Sequence, residues 1–187
     1  SELSGVSMYC HLANTQMDQG EYGKVNASLH TIRHSANEVI SKLDDLVWSV
    51  KSDYITLKTL VEKLLQYGQD MCFARSVEFR TNLYNFPGGI EFSEEQNYHL
   101  YLCLKEAINN AVKYSEATVI ELAFEKSANN FMFSVTDNGK GFTDEISHTG
   151  NGIKNMRQRA ENIGAFLSLE SGEGKGVSVK LVLRIPQ

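Results

Sequence analysis

From Val25 to Val50 one pattern runs without a break. Val25, Leu29, Ile32, Ala36, Val39, Leu43, Leu46 and Val50 follow one another at steps of 4, 3, 4, 3, 4, 3 and 4. Such a seam commits the segment to a long helix packed along another helix. Just before it, Leu3, Val6, Cys10, Ala13 and Met17 recur at steps of 3, 4, 3 and 4. Asp18-Gln19-Gly20-Glu21-Tyr22-Gly23, with its two glycines, reads as the loop between them. Two helices with so short a link form an antiparallel hairpin. Ile40, Val47 and Trp48 widen the apolar stripe of the second helix beyond what one partner can cover. The expectation is therefore a homodimer closed as a four-helix bundle; the alternative is that the hairpin packs on the rest of its own chain.

Lys51-Ser52-Asp53 interrupts the seam, and the domain boundary is placed there: residues 1–52 form the hairpin and 53–187 a second domain. Ser52 or Asp53 can cap a helix over roughly 54–75, apolar at Leu57, Leu60, Val61, Leu64, Leu65 and Met71. Val77 to Leu83 alternates as a strand, and Pro87-Gly88-Gly89 is a loop. Ser93-Glu94-Glu95-Gln96 is a capping box that opens a helix ending near Ser115. Strands follow over 117–126 and 130–137 with a hairpin link at Ser127-Ala128-Asn129. After a polar stretch from Thr143 to Asn151, Gly152 opens a helix with Ile153, Met156, Ala160 and Ile163 on one face, and Gly164 stops it. Two strands close the chain, Phe166 to Leu169 and Val177 to Ile185, around the turn Gly172-Glu173-Gly174-Lys175-Gly176. Runs linked in this way imply an α+β two-layer sandwich with a mixed, mostly antiparallel sheet and helices on one face.

Composition narrows the classes. An apolar content of 42% supplies a real core, and a net charge of −5 does not suit a nucleic-acid surface. No run reaches the about 18 apolar residues that a membrane span needs. No signal peptide opens the chain, which begins at Ser1 in mid-pattern, as a piece of a longer protein would. Cys10, Cys72 and Cys103 are odd in number and far apart, so they read as buried free thiols in a reducing cytoplasm. His30 and His34 stand four residues apart on one helix but lack a third metal ligand.

The helix from Tyr98 to Lys113 has two characters. On a wheel of about 100° per residue, Glu106, Asn110 and Lys113 share a narrow wedge, while Tyr101, Leu104, Ile108 and Ala111 lie opposite. One face suits a core. The other sets a carboxylate, an amide and an ammonium in a row, which suits a magnesium nucleotide. An amide oxygen can complete the oxygen shell of Mg²⁺, a carboxylate can take a proton, and an ammonium can counter phosphate charge. Alone, the row can equally be a solvated face.

Two further elements stand in order behind it: Asp137-x-Gly139-x-Gly141 and Gly150-x-Gly152. The three together resemble the N, G1 and G2 boxes of the gyrase, heat-shock chaperone, histidine-kinase and mismatch-repair ATPase superfamily. Within it the chain is similar to sensor histidine kinases of the nitrate-sensor and desaturase-thermosensor type. The likeness is carried by Leu104-Lys105-Glu106-Ala107-Ile108-Asn109-Asn110-Ala111-Val112-Lys113-Tyr114, by Val135-Thr136-Asp137-Asn138-Gly139-Lys140-Gly141-Phe142, and by Gly150 to Ala160. The short lid between Phe142 and Gly150, the Gly174-Lys175-Gly176 turn and Leu43 to Val50 also fit. The resemblance implies ATP and Mg²⁺ as cofactors. It assigns Asn110 to the metal, Glu106 to general-base or orienting duty, and Lys113 to phosphate.

The remaining roles follow from chemistry. A buried carboxylate at Asp137 accepts from the exocyclic amine of adenine, a charged hydrogen bond worth roughly 1.5–3 kcal/mol. Guanine would set a carbonyl oxygen there, so ATP is expected over GTP. Gly139 and Gly141 leave room for the base and permit positive φ. Gly150 and Gly152 precede a helix N-terminus whose free amides can hold phosphate oxygens.

The resemblance also has departures. Tyr114 stands where the family often has His, and Val177 where it usually has Thr. Ser1-Glu2-Leu3-Ser4 resembles the stretch that follows the phospho-accepting His, so that acceptor is expected upstream of Ser1, and His11 is not given the role. The expected function is the ATP-binding catalytic fragment of a cytoplasmic two-component sensor kinase, with a cognate response regulator as partner and membrane contact only through parts outside this chain. Two alternatives are a nucleotide-binding regulatory module like the anti-sigma-factor kinases and a catalytically silent dimerisation scaffold. The leading hairpin weighs against the first, and the intact Glu106, Asn110 and Asp137 against the second.

Overall fold

A computed structural model describes residues 2–50, 56–83, 92–127, 129–142 and 151–184. The chain divides into two compact units, Ser1–Asp53 and Tyr54–Gln187.

In the first unit, α1 (Glu2–Asp18) and α2 (Tyr22–Val50) are joined by a tight turn in which Gly20 takes φ +74°. The seam closes near that turn on small side chains. Ala13, Val25 and Ser28 are buried, and the Ser28 hydroxyl donates to Gln16 Oε1 across the helices at 2.9 Å. Farther along α2 the cover is uneven: Ile32, Ala36 and Val39 are half-buried, while other apolar positions stay open. Leu29 is 51% exposed, Leu43 53% and Ile40 56%. Cys10 corrects the expectation of three buried thiols: it is exposed, whereas Cys72 and Cys103 are buried. A position on the seam is covered only where the facing helix puts a side chain over it. The side chains of Leu3, Leu46, Val47, Trp48 and Val50 lie outside the described residues.

The second unit runs α3 (Leu57–Phe73), β1 (Glu78–Asn82), α4 (Glu94–Tyr114), β2 (Val119–Lys126), β3 (Asn130–Asp137), α5 (Asn151–Asn162), β4 (Phe166–Ser171) and β5 (Val177–Arg184). The sheet order is β1-β2-β3-β5-β4, with β1 parallel to β2 and the other pairs antiparallel. This is the expected mixed, mostly antiparallel α+β sandwich. Alternation sorts the strands: Ile120, Leu122 and Phe124, then Phe131, Phe133 and Val135, then Val179, Leu181 and Leu183 are all buried in one cluster with the helices. Phe124 stacks on Phe131 at 5.2 Å between ring centroids, and Phe92 meets Phe131 edge-on at 5.4 Å.

Helix α4 is the centre of that core. Leu100, Cys103, Leu104 and Ile108 have no exposed surface, and burying each Leu or Ile contributes about 1.5–3 kcal/mol. The helix starts where the sequence sets it. The Ser93 hydroxyl accepts from Gln96 N–H at 3.1 Å while Ser93 N–H donates to Gln96 Oε1 at 2.9 Å. Helix α3 differs from expectation. Its cap is Thr56, not Ser52 or Asp53, because Thr56 and Thr59 form a reciprocal box at 3.2 and 3.1 Å.

Candidate functional site

Two groups of residues meet at α4. The first lies on its polar face. Glu106 and Asn110 are half-buried there, and Lys113 is exposed in the last turn. The first turn of α5 closes over them. A Cβ added to Gly152 would overlap Glu106 Oε1 and come within 3.4 Å of the Asn110 amide nitrogen. Glu106 and Asn110 thus border the space that a side chain at 152 would occupy, which brings two distant motifs to one place. Gly150 and the expected lid, 143–150, lie outside the described residues.

Hydrophobic packing fixes this geometry from beneath. Met156 and Ala160 on α5 are buried, and the Cys103 thiol donates to the Met156 carbonyl at 3.5 Å. Burial pushes the Cys103 thiol up to about 12, against the opposing charge of Arg159. Tyr67 of α3 is also raised, first by burial and then by the charges of Glu106 and Tyr101. Lys105 Nζ lies 5.5 Å from the Tyr67 ring centroid and 5.7 Å from that of Tyr101, within range of cation–π attraction.

The second group lies at the end of β3. Asp137 is only 5% exposed. Its Oδ1 accepts from Gly139 N–H at 2.9 Å, and the Val177 amide donates to the same carboxylate. Burial nevertheless raises the carboxyl above its ordinary value of 3.8, because it outweighs the two amides. The main chain at 177, not its side chain, supplies this contact.

The glycines of this loop divide: Gly141 takes the expected positive φ and Gly139 does not. Gly139 is not at positive φ, and the space its missing side chain leaves is filled by the Ser115 backbone. Gly141 is at φ +62°, and a Cβ there would strike the carbonyl oxygens of Gly172 and Gly176. Gly176, at φ +73°, lies against the Asp137 carbonyl. These glycines bring three backbone segments together around the end of β3.

The two groups are joined through α4. Lys140 N–H donates to the Ser115 carbonyl at 2.8 Å, so the Asp137 loop hangs from the C-cap of the helix that bears Asn110. From Asn110 to Ser115 is roughly 7–8 Å along a helix axis. Sequence reasoning did not single out Ser115, Asn138 or Lys140. The signal it had for Asn138 was its place inside Asp137-x-Gly139-x-Gly141, where it was given no role.

Among the described residues no cluster of three His, Cys, Asp or Glu is grouped to hold a metal. No described helix is long and apolar enough to cross a membrane.

Residues 95–187 match the family described as "Histidine kinase-, DNA gyrase B-, and HSP90-like ATPase". The chain is similar to the sensor histidine kinase YhcY of Bacillus subtilis, 25% identical over 220 aligned residues covering 98% of this chain and 57% of that protein. It is also similar to the oxygen sensor histidine kinase NreB of Staphylococcus carnosus, 28% identical over 60% of this chain and 33% of that protein. The chain therefore spans roughly a third to three fifths of these relatives. In fold it resembles the histidine kinase AdeS of Acinetobacter baumannii, with a TM-score of 0.65, 14% identity and 96% of each chain covered. It also resembles the blue-light activated histidine kinase of Erythrobacter litoralis, with a TM-score of 0.58, 16% identity, and 96% of this chain and 58% of that one covered. Residues 95–187 belong to the histidine kinase-, DNA gyrase B- and HSP90-like ATPase family, and the chain as a whole is similar to part of a sensor histidine kinase.

Proposed function

We propose that the chain binds Mg-ATP on the polar face of α4 and, within the longer protein, transfers the γ-phosphoryl group to a histidine upstream of Ser1. The observation that carries this reading is that Glu106 and Asn110 both border the space that a side chain at Gly152 would fill. The donor chemistry suits a hard divalent cation: an amide group and a carboxylate side by side, in a cradle that one methyl group at 152 would fill. Asn110 would hold the magnesium, which when bound neutralises charge on the phosphates.

Each remaining residue has a task. Glu106 orients the attacking imidazole or takes its proton. Lys113 counters phosphate charge. Gly150 and Gly152 let the first turn of α5 offer its amides to phosphate oxygens. Asp137 accepts from the adenine amine, and Gly139 and Gly141 shape the loop that carries it. As the new N–P bond forms on the acceptor histidine, the bond from the γ-phosphorus to the bridging oxygen breaks and ADP leaves. A response regulator would then receive the phosphoryl group.

The hairpin supports a homodimer. Leu29, Ile40 and Leu43 stay exposed on a helix whose seam is otherwise regular, and a second hairpin would cover them as a four-helix bundle.

Titration calorimetry tests the nucleotide site. The expected result is Mg-ATP binding with clear preference over Mg-GTP; no binding of either overturns the proposal. Mixing the chain with a separate polypeptide that carries the upstream histidine tests transfer, with phosphohistidine as the expected product.

A further inference from the structure

Asn138, next to Asp137, spends its whole side chain on one task. Its Oδ1 accepts from Thr118 N–H at 3.0 Å and Val119 N–H at 2.9 Å, and its Nδ2 donates to Thr118 Oγ1 at 2.8 Å. Its own N–H donates to the Val119 carbonyl at 3.3 Å. All four bonds reach Thr118 and Val119, where the connection from α4 enters β2, 19 or 20 residues away. An amide suits the position, since one group must both accept from two amides and complete a bond with a hydroxyl.

The same connection holds the loop at two further points. Ser115 accepts from Lys140 N–H, and Glu116 Oε1 pairs with Lys140 Nζ at 2.6 Å. Glu116 sits at φ +57°, where a residue with a side chain is strained. Such strain persists where the surroundings over-determine it. From the other side, Gly174 N–H donates to the Lys140 carbonyl at 2.7 Å and Phe142 N–H to Ser171 Oγ at 2.8 Å. Residues 138–142 are therefore clasped between the start of β2 and the β4–β5 turn.

We propose that Asn138 is a positioning residue for base selection: by pinning this loop to Thr118 and Val119 it fixes the Asp137 carboxylate where it separates adenine from guanine. The inference rests on the reading of Asp137 as the adenine acceptor. A fixed acceptor rejects a carbonyl oxygen because it cannot move away from it. An acceptor on a loosened loop swings aside, losing the bond to adenine and relieving the repulsion of guanine together. A purely structural Asn would instead lower affinity for both nucleotides alike.

The test is titration of the full chain with Mg-ATP and Mg-GTP, with a thermal melt for each variant. Asn138→Ala is expected to weaken ATP roughly tenfold while GTP binding holds or tightens. Asn138→Asp keeps both acceptor positions and can take the Thr118 hydroxyl as donor, so it restores the wild-type preference to within about twofold. An unchanged ATP-to-GTP ratio in Asn138→Ala, or equal weakening of both, overturns the proposal. If Asn138→Ala melts below the assay temperature, Thr118→Val removes a single bond and is expected to lower the ratio about two- to threefold; an unchanged ratio there also overturns it. A wild-type chain that binds without base preference refutes the Asp137 reading itself, which is a separate result.

Discussion

The main chain at Gly152 touches the Glu106 carboxylate so closely that a methyl group cannot fit between α5 and α4. Gly152 is not at positive φ, so its backbone accepts alanine. Alanine would also favour the helix by up to about 1 kcal/mol. The overlap falls on the flexible end of Glu106, which will turn aside. Gly152→Ala is therefore expected to melt at the wild-type temperature or slightly above it. Its Mg-ATP affinity should fall by about tenfold or more, since displacing a positioned group by about 1 Å can cost that much. Calorimetry and a melt on the same sample check both halves.

Asp137→Asn separates stability from recognition. Burial raises the Asp137 carboxyl, so the folded chain holds that proton to higher pH than the unfolded chain does. The stability this group lends is fully present below its ordinary value of 3.8 and is lost as pH rises through the folded value. Once the pH passes the folded value the carboxylate is charged in both states, and folding then bears the cost of burying it. Asparagine removes that cost and keeps an oxygen for the Gly139 amide. The variant is expected to melt no lower than wild type at pH 7, with its margin shrinking on acidification, and to lose the preference for ATP over GTP. Loss of fold at pH 7 would contradict this.

Thiol chemistry distinguishes the three cysteines. Cys10 is exposed, Cys72 is buried and raised by burial, and Cys103 is pushed up to about 12. Since the thiolate is the reactive form, a maleimide at pH 7 is expected to label Cys10 and to spare the other two until the chain is unfolded. Mass spectrometry of native and denatured samples, with Cys10→Ser as reference, reads this directly.

Leu29→Glu and Leu43→Glu place charge where the hairpin leaves apolar surface open. Sedimentation is expected to show a wild-type dimer at micromolar concentration and monomers for both variants. The ATPase unit should keep its melting transition and its nucleotide affinity. A wild-type monomer would remove the four-helix bundle.

How much was legible follows from the range of each interaction. Helix α4 could be read because Ser93 and Gln96 are three residues apart and its core face repeats at helical spacing. The alternation of Phe131, Phe133 and Val135 likewise marked the buried side of β3. The misses were nonlocal or degenerate. Ser52, Asp53 and Thr56 can all cap a helix, and only the Thr56–Thr59 pair decides among them. Cys10 lies on a seam position, but periodicity does not say which positions a single hairpin covers. Gly139 looked like a residue chosen for its backbone freedom; what excludes a side chain there is Ser115, which is distant in sequence. Asn138 was overlooked for the same reason, its partners lying 19 or 20 residues away.

The meeting of Gly141 with Gly172 and Gly176, and of Gly176 with the Asp137 carbonyl, sets main chain against main chain. No rotamer remains there to be frozen, so a nucleotide docking against this seat as proposed would lose none of the side-chain entropy that most binding surfaces give up. The shape is completed during folding, before any encounter. Right and wrong nucleotides should therefore arrive at similar rates and differ in how long they stay.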